Sequence, residues 1–307
     1  MKPPAPDTSP RDPGPAPRAA RGPFYKLRVL LDMIKFEHTL FALPFAYLGA
    51  FLAAGGPPDA ATAAWILAAM VGARTCAMAF NRLVDLPFDA RNPRTRDRAL
   101  PRGEVRPAET WGLIAASAAL FFVAAWRLNP LALALSPPVL AVILLYSYTK
   151  RFTALCHLFL GLALGIAPAA GWIAVRGAVS LTPLVLAAGV LFWVAGFDIL
   201  YACLDVAFDR AAGLHSIPAR LGVPAAFRLA RAFHVVALAA FIAVGRLAGL
   251  GWIYAAGLAV TAALMILQHS VVRPDDLSRM DMAFFTANGA ISLVLFAATA
   301  LDLALGG

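Results

Sequence analysis

The sequence predicts an all-α, polytopic membrane protein with nine transmembrane helices. Three observations carry that expectation. Of the 307 residues, 61% are hydrophobic and only 14% charged, whereas a soluble domain is roughly half apolar and a quarter charged. The apolar residues fall in runs of about twenty, long enough to cross ~30 Å of hydrocarbon as helix. The basic residues, which give a formal net charge of +9, collect in alternate connections between those runs. Cationic loops are a topological signature in a membrane protein, so the charge here does not argue for nucleic acid.

In chain order, residues 1–25 read as a Pro/Ala-rich disordered tail, without the apolar core of a secretory signal peptide. Residues 26–307 form the membrane domain, with spans expected near 36–54, 62–82, 110–126, 130–148, 153–174, 182–204, 227–245, 248–268 and 283–304. A tight hairpin, Arg127-Leu128-Asn129 ahead of Pro130, separates the third and fourth. The tail and the loops after the even-numbered spans hold 21 of the 26 Lys and Arg residues; the opposite side holds only Arg127, Arg176 and Arg246. That split places the N-terminus and the even-numbered loops in the cytoplasm of a multi-pass inner (plasma) membrane protein. Cys76, Cys156 and Cys203 lie in or at the ends of spans without CxxC spacing and read as small packing residues.

Two acidic segments carry the chemistry. In NRLVDLPFD, Asn81, Asp85 and Asp89 stand at i, i+4 and i+8, one face of a helix. In DILYACLDVAFD, Asp198, Tyr201, Asp205 and Asp209 stand at i, i+3, i+7 and i+11, again one stripe. DLPFDARN at 85–92 also echoes DVAFDRAA at 205–212, as an old duplication would. Like charges stacked beside hydrocarbon need neutralising. Hard carboxylate and amide oxygens suit Mg²⁺, which completes its shell with phosphate oxygens and water. Two facing stripes could hold two Mg²⁺ ions bridged by a diphosphate. The arginines that follow the first segment, Arg91, Arg94 and Arg98 among them, would grip the phosphate oxygens left free. A single DxxxD would read as a solvated helix end; two on one side of the membrane favour a shared ligand.

These segments resemble the NxxxDxxxD and DxxYxxxDxxxD motifs of the UbiA superfamily of membrane prenyltransferases, and YSYTKRFT at 146–153 resembles the stretch after the fourth span in the same enzymes. KFEHTLFALPFA at 35–46 and DRAAGLHSIPARLG at 209–222 look most like the 4-hydroxybenzoate polyprenyltransferase group, including its menaquinone-route relatives. The resemblance implies a UbiA-type bundle and Mg²⁺-dependent transfer of a polyprenyl group to a small aromatic acceptor in ubiquinone or menaquinone biosynthesis. It implies Asn81, Asp85, Asp89, Asp205 and Asp209 as metal ligands, with Asp198 and Tyr201 lining the cavity. Arg94, Lys150 and Arg151 would meet the diphosphate or an acceptor carboxylate. No obligatory protein partner follows from it.

Other residues leave alternatives open. Arg74, about two turns inside the second span, either grips the acceptor carboxylate or pairs with a buried polar group. Lys35, Glu37 and His38 read as a snorkelling interfacial cluster or part of the acceptor pocket. His215 reads as a solvated loop residue or a phosphate contact. Tyr146 and Tyr148 either shield a cation or belong to the interfacial aromatic belt. His157, His234 and His269 share no metal-ligand spacing and read as structural. Two other functions compete. One is prenylation of 1,4-dihydroxy-6-naphthoate in the futalosine menaquinone route. The other is a cation-coupled transporter, which would place its charges near the bilayer midplane and not at the helix ends.

Overall fold

The computed structural model describes residues 23–33, 39–280 and 286–306, and over these the chain is helical. Lys35, Glu37 and His38, and residues 1–22, lie outside them. The helices are α1 (Pro23–Met33), α2 (Thr39–Ala54), α3 (Ala60–Val84), α4 (Leu86–Asp89), α5 (Pro107–Leu128), α6 (Pro130–Thr149), α7 (Cys156–Arg176), α8 (Leu181–Tyr201), α9 (Val206–Ala211), α10 (Ile217–Leu221), α11 (Val223–Leu247), α12 (Trp252–Val271) and α13 (Asn288–Leu305). Eight are long and apolar enough to cross a membrane. The 16-residue α2 is apolar as well but shorter than these eight. Their outward faces carry large apolar side chains such as Trp126, Val235, Ile266 and Leu293, the surface that acyl chains cover.

Each boundary has a local cause. Asn129 ends α5 and begins α6. Its backbone is extended, its side chain accepts from the Ala132 amide, and its Nδ2 donates to the Ile173 carbonyl on α7. Pro107 and Pro130 stand at helix starts, where a missing N–H costs nothing. Gly177 closes α7 with φ near 61°, a conformation that favours glycine.

Three features depart from the sequence expectation. Helix α1 begins at Pro23, inside the segment expected as tail. Its Val29 and Met33, one turn apart, bury against Cys76 and Ala79 of α3. The first acidic stripe is not one helix: α3 ends at Val84, Asp85 caps it, and Asp89 lies on the separate turn α4. The second stripe is broken by a 3₁₀ turn, Ala202–Asp205, before α9 resumes. Both acidic pairs converge on one local form, in which the first Asp precedes a short helix and the second sits in its first turn.

Helices α7 and α8 pack through small residues. A Cβ on Gly161 would lie 2.3 Å from the Leu191 carbonyl oxygen, and one on Gly165 2.6 Å from that of Ala187. Such bare surfaces let membrane helices approach backbone to backbone. Phe45, Trp193, Phe197 and Phe241 fill the adjoining core, with ring centroids 5.0 Å apart for Trp193 and Phe197. The loops that follow α3, α6 and α8 meet at one end of the bundle, where the His215 amide donates to the Lys150 carbonyl.

Candidate active site

A cavity of about 710 Å³ opens at that end and runs between α2, α3, α5, α6, α7 and α8. Its mouth is charged, and its depth is lined by apolar residues such as Ile66, Leu128, Leu164 and Leu184. Asn81, Asp85, Asp89, Asp198, Tyr201, Asp205 and Asp209 all line it, as do Arg74, Arg94, Arg98, Lys150 and Arg151. Arg91 is a correction to the expected set, because it does not line the cavity. Its Nε donates to the Pro87 carbonyl and its guanidinium lies over the Phe88 ring, 5.4 Å from the centroid.

Each carboxylate has a named partner. Asn81 Nδ2 donates to Asp85 at 2.9 Å, and Arg151 stands 3.8 Å from the same carboxylate while its Nη2 donates to the Val84 carbonyl. Burial, with the like charge of Asp89 second, pushes the Asp85 carboxyl up to about 6. Arg98 Nη1 donates to both oxygens of Asp89, at 2.9 and 2.7 Å, and Arg82 stands 3.9 Å away. Arg94 forks onto Asp205, Nε to Oδ1 at 2.9 Å and Nη2 to Oδ2 at 2.5 Å, and its Nη1 donates to the Tyr201 hydroxyl. Asn92 adds a bond to Asp205 Oδ1 at 3.3 Å. The loop after α3 thus reaches across to the second acidic segment.

Asp209 is fully buried between Lys150, at 2.8 Å, and the Ser216 hydroxyl, at 2.8 Å. Burial opposes the charge on Lys150, but Asp209 outweighs it and holds the ammonium above its ordinary value. Asp198 meets His157 Nδ1 at 2.6 Å. Deeper in the cavity, Arg74 sits ten residues before the end of α3, about 15 Å down the helix. Its buried Nε has no hydrogen-bond partner among the described residues, nor has the Oγ of Ser147.

Among the described residues no three His, Cys, Asp or Glu side chains form a preformed metal-ligand group. The donor set still fits a hard divalent ion: four Asp carboxylates and one Asn amide around one cavity mouth, with no soft ligand among them. The two tyrosines separate. Tyr146 lines the cavity, while Tyr148 is exposed and packs against Arg151. His215 lies outside the cavity. Arg82, Asn92, His157 and Ser216 are site residues that the sequence reading did not select.

The chain matches the UbiA prenyltransferase family over residues 42–290. It belongs to that family. As a UbiA prenyltransferase it is similar to the 4-hydroxybenzoate octaprenyltransferase of Azoarcus sp. (strain BH72), 32% identical over 87% of this chain and 90% of the relative. The 4-hydroxybenzoate octaprenyltransferase of Aromatoleum aromaticum is 31% identical over 94% and 97%. Among solved structures, an apo UbiA homolog from Aeropyrum pernix K1 is 42% identical with a TM-score of 0.79, covering 87% of this chain and 98% of that one. A UbiA homolog from Archaeoglobus fulgidus bound to GPP and Mg²⁺ shares the fold, with a TM-score of 0.68 at 20% identity over 90% and 100% of the two chains. The protein is therefore a membrane-embedded prenyltransferase.

Proposed function

We propose that this enzyme transfers a polyprenyl group from polyprenyl diphosphate to an aromatic acceptor of the 4-hydroxybenzoate type, in quinone biosynthesis at the cytoplasmic face of the inner membrane. One observation carries the reading. Two acidic segments 120 residues apart and four basic side chains, Arg94, Arg98, Lys150 and Arg151, face one mouth of a cavity whose depth is apolar. Two of its relatives are 4-hydroxybenzoate octaprenyltransferases, which supports the acceptor class.

In this reading Asn81, Asp85, Asp89, Asp205 and Asp209 hold two Mg²⁺ ions with the diphosphate. Bound there, Mg²⁺ supplies Lewis-acid stabilisation of the charge that develops on the leaving group. The basic side chains exchange their carboxylate partners for phosphate oxygens, which they meet in preorganised positions. The bond between the allylic carbon and the diphosphate oxygen breaks, and its electron pair leaves on the diphosphate. The ring carbon beside the acceptor hydroxyl forms the new C–C bond, and Asp198 takes the ring proton. Tyr146, which lines the cavity, shields the allylic cation with its ring, while Tyr201 lies under the Arg94 guanidinium. Arg74, with its unpartnered Nε, pairs with the acceptor carboxylate in the water-poor depth of the cavity. The apolar walls receive the polyprenyl tail.

The test is product mass spectrometry of the reconstituted protein given geranyl diphosphate, Mg²⁺ and either 4-hydroxybenzoate or 1,4-dihydroxy-6-naphthoate. Prenylated 4-hydroxybenzoate as the dominant product, with KM for the acceptor raised in Arg74→Met, is expected. Product from the naphthoate alone would replace this acceptor with the menaquinone-route one.

A further inference from the structure

Histidine 157 stands at the first turn of α7, one turn above Gly161 and two above Gly165. The two glycines bring α7 against α8 at Leu191 and Ala187. Continued toward the cavity mouth, that antiparallel contact sets His157 beside the turn of α8 that carries Asp198. The ring is 2% exposed and both its nitrogens are engaged: Nδ1 with Asp198 Oδ2 at 2.6 Å, Nε2 with the Ile217 amide at 3.3 Å. A backbone amide only donates, so Nε2 is the acceptor, and the ring proton sits on Nδ1 and is donated to the carboxylate. One oxygen of Asp198 is thereby occupied in a fixed geometry, which leaves Oδ1 for the cavity.

The Ile217 amide belongs to a loop that holds the rest of the site. The same loop bonds Lys150 through the His215 amide at 2.7 Å and Asp209 through the Ser216 hydroxyl at 2.8 Å. His157 is therefore the joint between the diphosphate end of the cavity and the carboxylate that faces the acceptor.

We propose that His157 is the positioning residue for Asp198: its Nδ1–H orients the carboxylate that receives the ring proton, and its Nε2 ties that carboxylate to the loop holding Asp209. The inference rests on the proposed role of Asp198. Partners that orient a reactive side chain in this way typically matter about 10- to 100-fold.

The experiment compares His157→Ala, His157→Asn and His157→Gln with Asp198→Asn in the full chain in lipid nanodiscs, measuring kcat, KM for geranyl diphosphate and thermal midpoint. Asn keeps an N–H donor where Nδ1 stands, whereas Gln keeps an acceptor where Nε2 stands. His157→Ala is expected to lower kcat about 10- to 100-fold with KM for geranyl diphosphate within about twofold, and His157→Asn to recover most of the loss. Introduced into Asp198→Asn, His157→Ala should cost nothing further. Wild-type kcat in His157→Ala, or rescue by Gln and not by Asn, overturns the inference while Asp198 keeps its role. Wild-type kcat in Asp198→Asn removes that role and the inference with it. A change in thermal midpoint that accounts for the whole kcat loss, equal in all three His157 variants, also overturns it.

Discussion

The two acidic segments draw their counter-charges from different distances. Asp89 is bound by Arg98, nine residues on in the same loop, and approached by Arg82 from the end of α3. Asp205 is held by Arg94 and Asn92, more than a hundred residues earlier, and Asp209 by Lys150 at the end of α6. In the first segment Asp89 is thus held by its own loop and helix end, and only Asp85 draws a distant cation, Arg151, at 3.8 Å. The second exists only when α3, α6, α7 and α8 have packed. Both end in the same Asp-cap and short-helix form, so the chemistry offered to a ligand is alike while the cost of assembling it is not.

That asymmetry can be broken most severely at Arg94, the side chain that joins the segments. Arg94→Ala should lower turnover about 100-fold or more, the scale for removing a preorganised charged donor. Arg94→Lys should recover little, because only a planar guanidinium can fork onto the phosphate oxygens as Arg94 forks onto Asp205 here. Turnover near wild type in either would show that the cross-tie is dispensable.

Stability should separate the segments next. Lys150→Met leaves the fully buried Asp209 carboxylate with Ser216 alone, and loss of one partner of such a pair costs about 3 kcal/mol. Arg98→Met should cost less, because Arg82 remains beside Asp89. Thermal midpoints of the detergent-solubilised variants measure this, and equal shifts would remove the local-versus-distant distinction.

Smaller again is the packing that supports the second segment. Gly161→Ala would drive a methyl group into the Leu191 carbonyl and should cost about 1–3 kcal/mol. Gly112→Ala, in open space on α5, should be neutral or stabilising by up to about 1 kcal/mol. The smallest effect belongs to Arg91. Exposed and turned away from the cavity, it should tolerate Ala with turnover within about twofold and stability within about 0.5 kcal/mol.

Hydropathy is a property of the local sequence, so the eight membrane-length helices among the described residues, and the shorter apolar α2, were legible from their apolar runs. Helix α1 was not, because it is shorter than a span; among its described side chains Val29 and Met33 are the buried ones. The carboxylates were legible because their spacing survives, even though Asp85 ends one helix and a 3₁₀ turn interrupts the other. The basic residues around them were legible too, but not which carboxylate each one holds, nor Asn92, His157 and Ser216. Nothing near His157 in the chain points to Asp198, and only the close contact at Gly161 and Gly165 brings the two together. Arg91 shows the converse: although near Asp89 in sequence, it does not line the same cavity.

The central claim is that both segments serve one Mg²⁺-dependent prenyl transfer. Its most direct test is the rate of diphosphate release from geranyl diphosphate with 4-hydroxybenzoate, for wild type, Asp85→Asn and Asp205→Asn, in Mg²⁺ and in EDTA. Acceptor-dependent release by wild type in Mg²⁺, abolished by EDTA and reduced about 100-fold or more in each variant, is the predicted result. Near-wild-type release by either variant, or undiminished release in EDTA, would contradict it.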